Sequence, residues 1–313
     1  MNPSSFAYLQ SNQDLAKELK INSASYLTHL SYNSAEHYKT YRIPKKVPGE
    51  FRTIYDPDQT LRTVQYRLLK SIWEKVPVMD ECYAFEPGKS IPQMANLHVN
   101  KAVVLSYDIR KYFDHIKNTM LMDILTEQGM GQAPARTVAE LCTYTYFVPQ
   151  GALTSPKISN CISSSTFGPG IKQFCEERGL TLTIYADDIT ISGQTIPNIH
   201  EVNTFVAQHV EQFGFRINTR KTKVMTRKTR QWVCGVVVNE KTNMLRKERK
   251  ILRAIVHNVE KNGIEIEAQK MSKPPEEFVK QIQGRLNWFK QLNAVQGGIL
   301  WDKWIRCTRS TTD

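Results

Sequence analysis

The stretch that decides the fold is TLTIYADDITISG, residues 181–193. Thr181, Thr183 and Tyr185 alternate with Leu182, Ile184 and Ala186, and the β-branched run Ile189, Thr190 and Ile191 follows two adjacent acids, Asp187 and Asp188. This pattern predicts a β-hairpin whose tight turn carries both carboxylates. Adjacent like charges cost stability unless something positive sits between them. The chemical question is which cation needs two aspartates at a hairpin tip.

A third carboxylate lies upstream. Asp108 closes the apolar strand AVVLSYDI (102–109), in which Val103, Val104 and Leu105 are consecutive, and the chain then runs into KYFDHI. An Asp before a turn is commonly a helix N-cap. Beside the hairpin it acquires a second meaning. Three carboxylates on two adjacent strand ends can hold two Mg²⁺ ions about 3.5–4 Å apart, one activating an attacking 3′-hydroxyl and the other clamping a triphosphate and its leaving pyrophosphate. Magnesium suits this task because it takes hard oxygen ligands and shares its shell with phosphates.

Bulk properties agree with a polyanion partner. The 313 residues are 41% apolar and 23% charged, ordinary for a globular chain of two or three compact units. The formal charge of +12 is less ordinary, and it is concentrated: residues 216–250 hold twelve Lys or Arg against two Glu. WVCGVVVN (232–239) interrupts that run with strand-like sequence, so the charge belongs to folded structure. The six cysteines show no CxxC pair, which argues against zinc and against a disulfide scaffold. The N-terminus lacks a signal-peptide pattern, and no apolar run approaches the roughly 18–20 residues of a membrane span. A soluble protein of a reducing compartment is expected.

Residues 5–41 read as helical, with Leu15, Leu19, Leu27 and Leu30 among polar residues. YRIPKKVPGEFRTIYDP (41–57) reads as two strands around a turn at Pro48-Gly49. LRTVQYRLLKSIWEKV (61–76) reads as a helix ended by Pro77, its Leu61, Val64, Leu68, Leu69 and Ile72 recurring at helical spacing. A helical region is predicted around 117–148, a loop-to-helix transition in FVPQGALTSPKISNCISSS, and a helix at 197–213. From 244 onward the pattern is helical. Leu252, Ile255, Val256 and Val259 define one buried face opposite Arg246, Lys247, Arg249 and Lys250, and Phe278, Ile282, Leu286, Phe289 and Leu292 define another stripe after Pro274-Pro275. The expected division is an N-terminal helical extension (1–40), a mixed α/β body (41–240) and a helical C-terminal unit (241–313).

YADD at 185–188, PQGALTSP at 149–156 and YDIRKYFDHI at 107–116 resemble, in order and spacing, the catalytic motifs of reverse transcriptases. The details resemble the bacterial retron subfamily most: YADDITISG, RIPKK followed by FRTIYDP, SIPQMANLH at 90–98, GFRINTRKTKV at 214–224 and WVCGVVVN. The resemblance covers residues 38–295. It implies an α/β (α+β) right-hand polymerase, with fingers and palm at 41–240, an antiparallel palm sheet carrying the YADD hairpin, and a small helical thumb at 241–313.

The resemblance also implies roles. Asp108 and Asp187 would ligate the two metal ions, assisted by the backbone carbonyl of Ile109, with Asp188 as the supporting carboxylate. Phe113 resembles the steric gate that lies under the incoming sugar and excludes a 2′-hydroxyl. Gln150-Gly151 resembles the segment that packs on the nucleotide, where glycine lets backbone approach a ligand closely. Lys45, Lys46 and Arg52 fall where fingers residues grip the triphosphate. Lys221 resembles the lysine near the pyrophosphate, a candidate general acid, and Tyr185 would buttress the hairpin against the primer end. Arg246, Lys247, Arg249 and Lys250 would meet nucleic-acid phosphates. Leu153, Met94 and Cys234 stand where retron enzymes usually carry Pro, Asn and Thr, and none of them replaces a metal ligand. His98 matches the SIPQMANLH segment and reads as a structural histidine.

By resemblance, the chain would be the RNA-directed DNA polymerase of a retron. Such an enzyme recognises a cognate structured non-coding RNA, primes from a guanosine 2′-hydroxyl, and extends with dNTPs a short DNA that stays attached to the RNA (msDNA). It serves in anti-phage defence beside an effector (toxin) protein. With few residues after the palm, removal of RNA is expected from a host RNase H. Two other readings stay open: another bacterial reverse transcriptase (abortive-infection, diversity-generating or group II intron-derived), and a non-catalytic RNA-binding, antitoxin-like protein. Intact Asp108, Asp187, Asp188, Gln150 and Lys221 favour chemistry.

Overall fold

The computed structural model describes residues 5–45, 48–195 and 198–309. Ser11 starts α1 (Asn12–Glu18) through a capping box: its hydroxyl accepts from the Asp14 N–H, and the Asp14 carboxylate accepts from the Ser11 N–H. Ser23 caps α2 (Ala24–Tyr32), and Leu15, Leu19, Leu27 and Leu30 are buried as their spacing predicts. The helical reading of 5–41 overruns, however. A 3₁₀ turn at Ser34–His37 leads into β1 (Tyr38–Pro44), which pairs antiparallel with β2 (Phe51–Pro57), Tyr38 opposite Pro57 and Pro44 opposite Phe51. Tyr38, Thr40, Tyr41 and Ile43 are strand formers once a partner strand supplies the hydrogen bonds.

Asp58 caps α3 (Gln59–Ser71), accepting from the Leu61 N–H at 2.9 Å. This helix stops short of the predicted Val76. Trp73–Lys75 is a 3₁₀ turn that buries Trp73, whose indole N–H donates to Cys142 Sγ at 3.3 Å. There follow α4 (Ile91–Asn96), β3 (Val103–Asp108), α5 (Tyr112–His115), α6 (Asn118–Glu127) and α7 (Gln132–Leu141). Residues 142–148 are not helical as expected. Tyr144 and Phe147 exchange backbone hydrogen bonds of 2.8 and 3.2 Å around Thr145, which sits at φ +56°. The Tyr144 ring packs against Tyr38, Tyr55 and Phe147, so tertiary aromatic contacts override helical periodicity.

The remaining elements are α8 (Ser155–Ser165), α9 (Phe167–Glu177), β4 (Thr181–Tyr185), β5 (Asp188–Gly193), α10 (Ile199–Glu211), β6 (Lys223–Thr226), β7 (Trp232–Val233), β8 (Val236–Val237), α11 (Arg246–Asn262), α12 (Ile264–Lys270), α13 (Pro275–Leu292) and α14 (Ala294–Arg309). Four strands form one sheet in the order β4-β5-β3-β6. Only antiparallel pairing allows β4 and β5 to be neighbours across so short a connection. That connection is Ala186–Asp187, with Ala186 at φ +53°, and Asp188 is already the first residue of β5. The turn thus carries one of the two acids rather than both. Thr183 is 1% exposed, as hidden as its apolar neighbours, because both faces of β4 are covered.

The chain divides into two compact units. The first comprises Met1–Lys89, Ser106–Ile191 and Pro197–Thr222. The second comprises Ser90–Leu105, Ser192–Ile196 and Lys223–Asp313. In the second unit the stripe Phe278, Ile282, Leu286, Phe289 and Leu292 on α13 is buried, as are Leu252, Val256 and Val259 on α11 and Trp304 on α14. Gly297 lets α14 approach α13 closely: a Cβ there would come within 2.5 Å of the Lys290 backbone. His98 is fully buried, its Nδ1 is 2.7 Å from Ser192 Oγ, and burial holds its pKa down to about 3, so it is a neutral packing residue. Among the described residues no helix is long and apolar enough to cross a membrane.

Candidate active site

Strand β3 delivers Asp108. Val104, Leu105 and Tyr107 are buried and anchor the strand, and Asp108 is its last residue. Ile109 is buried as well, and its N–H donates to the Asp187 carbonyl at 2.8 Å. That bond stitches the end of β3 to the hairpin turn and brings the two acids into one site.

A turn at 218–222 closes on Asp108. The Asn218 N–H donates to the Asp108 carbonyl at 2.7 Å, Asn218 Nδ2 donates to Oδ1 at 3.1 Å, and Lys221 Nζ donates to Oδ2 at 2.7 Å. The Asn218 carbonyl holds the turn itself, accepting from the Lys221 and Thr222 N–H groups at 2.9 and 3.1 Å. Asn218 lies three residues before Lys221 in GFRINTRKTKV (214–224), and that proximity to Lys221 is its one signal in the sequence.

The electrostatics follow from this packing. Burial pushes the Asp187 carboxyl above its ordinary value of 3.8; a hydrogen bond from its own backbone opposes the rise, the Asp108 charge adds to it, and Lys221 and Arg52 pull it back. The Lys221 ammonium is pushed above its ordinary 10.5, first by its hydrogen bond to Asp108 and then by the charges of Asp108, Asp187 and Asp188, against its own desolvation. Lys221 is therefore a firmly charged group facing three carboxylates.

Asp108, Ile109, Asp187 and Lys221 are in direct contact through these bonds, with Asp188 and Arg52 within range of their charge. Phe113 lies in α5, half-buried, its ring edge-on to Tyr112 at 5.7 Å. The Gln150 carbonyl accepts from the Tyr55 N–H at 2.8 Å, so the PQG segment docks on β2, the strand that carries Arg52. Gly151 does need its freedom, but for a different neighbour than expected. At φ +119° a Cβ would stand 2.6 Å from the Tyr55 carbonyl oxygen and 2.8 Å from Ile54 Cγ2, so the close approach is to β2. Lys45 pairs with Glu50 at 3.2 Å across the β1–β2 tip, and Lys46 lies outside the described residues. The Tyr185 ring lies 6.3 Å from that of Phe85.

In the second unit, Arg246, Lys247 and Lys250 are exposed at the start of α11. Arg249 does not face outward with them. It is half-buried, and its guanidinium donates to Gln296 Oε1 at 3.1 Å, because α14 packs against that side of α11.

Among the described residues no three His, Cys, Asp or Glu side chains form a cluster able to hold a metal ion by themselves. The donor set nonetheless suits a hard divalent cation. Asp108 and Asp187 supply carboxylate oxygens whose charges oppose each other, and such an ion draws much of its shell from water and substrate phosphate. The neighbouring Lys221 shows that the site already attracts positive charge.

The family model for reverse transcriptase (RNA-dependent DNA polymerase) matches residues 43–238, which include every one of these acids. The chain belongs to the reverse transcriptase family. It is 31% identical over 289 residues to the retron Mx65 reverse transcriptase of Myxococcus xanthus, covering 87% of this chain and 65% of that protein. It is 29% identical over 248 residues to the retron Ec86 reverse transcriptase of Escherichia coli, covering 79% of this chain and 77% of that protein. Telomerase from Candida albicans, solved with a fragment of telomeric RNA, superposes loosely, with a TM-score of 0.48 and 12% identity over 86% of this chain and 63% of that one. As a reverse transcriptase-family fold, the mixed helix-and-sheet body with its YADD hairpin is the right-hand polymerase architecture expected from the motifs.

Proposed function

We propose that the chain is an RNA-directed DNA polymerase, the reverse transcriptase of a retron. The observation that carries the polymerase reading is the convergence of Asp108, at the end of β3, and Asp187, in the turn before the neighbouring strand β5, with the Lys221 ammonium on Asp108 Oδ2. On this reading the fingers and palm occupy 41–240 and the thumb 241–313. Asp108 and Asp187, with the Ile109 carbonyl, would hold two Mg²⁺ ions, and Asp188 would support them. Bound there, the ions supply the positive charge that favours a hydroxyl nucleophile and a pyrophosphate leaving group.

The chain's own groups do the rest. Arg52 on β2 meets the triphosphate, with Lys45 and Lys46 as further candidates. Gln150-Gly151 backs the nucleotide from the loop that docks on that strand. Phe113 occupies the volume a 2′-hydroxyl needs. Lys221 carries a proton on Nζ that it can hand to the pyrophosphate oxygen as the bond to the α-phosphate breaks. Tyr185 steadies the hairpin under the primer end.

The retron assignment draws support from likeness to the Mx65 and Ec86 enzymes. It names a cognate structured non-coding RNA as template and primer, a guanosine 2′-hydroxyl as the priming group, and a short DNA that remains linked to the RNA. It also names a host RNase H for trimming, an effector protein in anti-phage defence, and the bacterial cytoplasm as the setting. The test is to express the chain with its native flanking DNA, then sequence the nucleic acid that co-purifies and digest it with a 2′,5′-debranching enzyme. One discrete DNA, released from RNA only by debranching, is the expected result. Linear cDNA of mixed sequence would favour another bacterial reverse transcriptase, and RNA without DNA would remove the polymerase reading.

A further inference from the structure

Asn218 has no part in the chemistry above, yet it makes two hydrogen bonds to Asp108, one from its backbone and one from its side chain. We propose that Asn218 is a positioning residue for Asp108, its amide fixing Oδ1 so that Oδ2 is the oxygen turned to a divalent cation. The inference rests on the polymerase reading and deepens it.

Both carboxylate oxygens of Asp108 carry a donor, and the two donors differ in kind. Lys221 is 62% exposed on a flexible stem and is itself charged, so it can leave Oδ2 for an incoming phosphate. Asn218 is neutral and half-buried, and its backbone is tied at both ends: the N–H to Asp108, the carbonyl to Lys221 and Thr222. A neutral amide fixes an oxygen without competing for it as a second cation would. These backbone bonds persist whatever the side chain, so truncation at Asn218 removes the Oδ1 contact and leaves the turn.

The experiment uses the full chain without nucleotide or nucleic acid, titrated with Mn²⁺ and followed by electron paramagnetic resonance of the free ion. Asn218→Ala and the nearly isosteric Asn218→Leu each remove the donor without adding charge. Both variants should keep native circular dichroism and bind Mn²⁺ about 10–100-fold more weakly, the usual cost of removing a group that orients a metal ligand. Turnover for dNTP addition should fall with the dNTP KM little changed. In an Asp108→Asn background, Asn218→Ala should cause no further loss of Mn²⁺ binding.

Unchanged Mn²⁺ affinity in both single variants, with Asp108→Asn abolishing it, would overturn the positioning role alone. Additive loss in the double variant, or loss of native circular dichroism in both single variants, would overturn it by showing a general structural effect. Wild-type Mn²⁺ affinity in Asp108→Asn itself would instead remove the metal reading of the site.

Discussion

Gly151→Ala tests whether the PQG loop and the β1–β2 hairpin act as one nucleotide platform. A Cβ at position 151 would stand 2.6 Å from the Tyr55 carbonyl oxygen, where ordinary contact begins at 3.4 Å, so the two backbones must part by about 0.8 Å. The same backbones are joined by the Tyr55 N–H to Gln150 carbonyl bond of 2.8 Å, and a parting of that size stretches it out of hydrogen-bond range. Overpacking of this kind costs about 1–3 kcal/mol. The lost hydrogen bond adds about 1 kcal/mol, and holding Ala at φ +119° adds about 1–3 kcal/mol. Partial relaxation makes these costs overlap, so the expected destabilisation is about 2–5 kcal/mol. Since β2 carries Arg52, the dNTP KM should also rise in single-nucleotide addition. Urea unfolding and steady-state kinetics on the same preparation decide it. A variant with wild-type stability and wild-type KM would refute the idea that Gly151 is required by β2.

Asp187→Asn with Asp188→Asn should abolish DNA synthesis while leaving fold and RNA binding largely intact, because amides keep the shape and remove the charge; residual polymerisation near the wild-type rate refutes it. Asp187→Asn alone should raise the melting temperature of the cation-free chain at neutral pH. The folded-state carboxyl is raised above 3.8, so its charge costs stability fully above that folded-state value, and the cost fades as pH falls through it toward 3.8. The gain should therefore shrink in acid buffers, and a gain constant with pH speaks against burial as its cause. Phe113→Ala should raise ribonucleotide relative to deoxyribonucleotide incorporation, and unchanged discrimination returns Phe113 to a packing role. Arg246, Lys247 and Lys250, all exposed, should weaken cognate-RNA binding when reversed to Glu and flatten its salt dependence by about 0.7–0.9 in log–log slope per lost phosphate contact. Affinity and slope at wild-type values would mark them as solvated surface. Arg249 is left out of that set because its bond to Gln296 would make reversal a folding defect.

The sequence by itself determined what short-range rules govern. Strand alternation around Asp187 and Asp188, the apolar run that ends at Asp108, and the helical stripe from Phe278 to Leu292 each express a local period, and each became the element it predicts. The motifs singled out Lys221 by resemblance as a lysine near the pyrophosphate, and the fold sets its ammonium on Asp108 Oδ2. Only the tertiary structure decided what distant segments do to one another. Asn218 reaches Asp108 across 110 residues of chain, and no periodicity links them. Tyr144 and Phe147 leave the helical pattern because Tyr55 and Tyr38 offer their rings, and Trp73 tightens its helix end because Cys142 lies within reach of its indole. Gly151 reads in the sequence as a place for a ligand, and the fold sets Tyr55 against it. Arg249 reads as one more surface cation, and α14 turns it inward. Propensity and periodicity are properties of neighbouring residues, whereas these choices rest on contacts whose free energy exists only once the partner segment has folded into place.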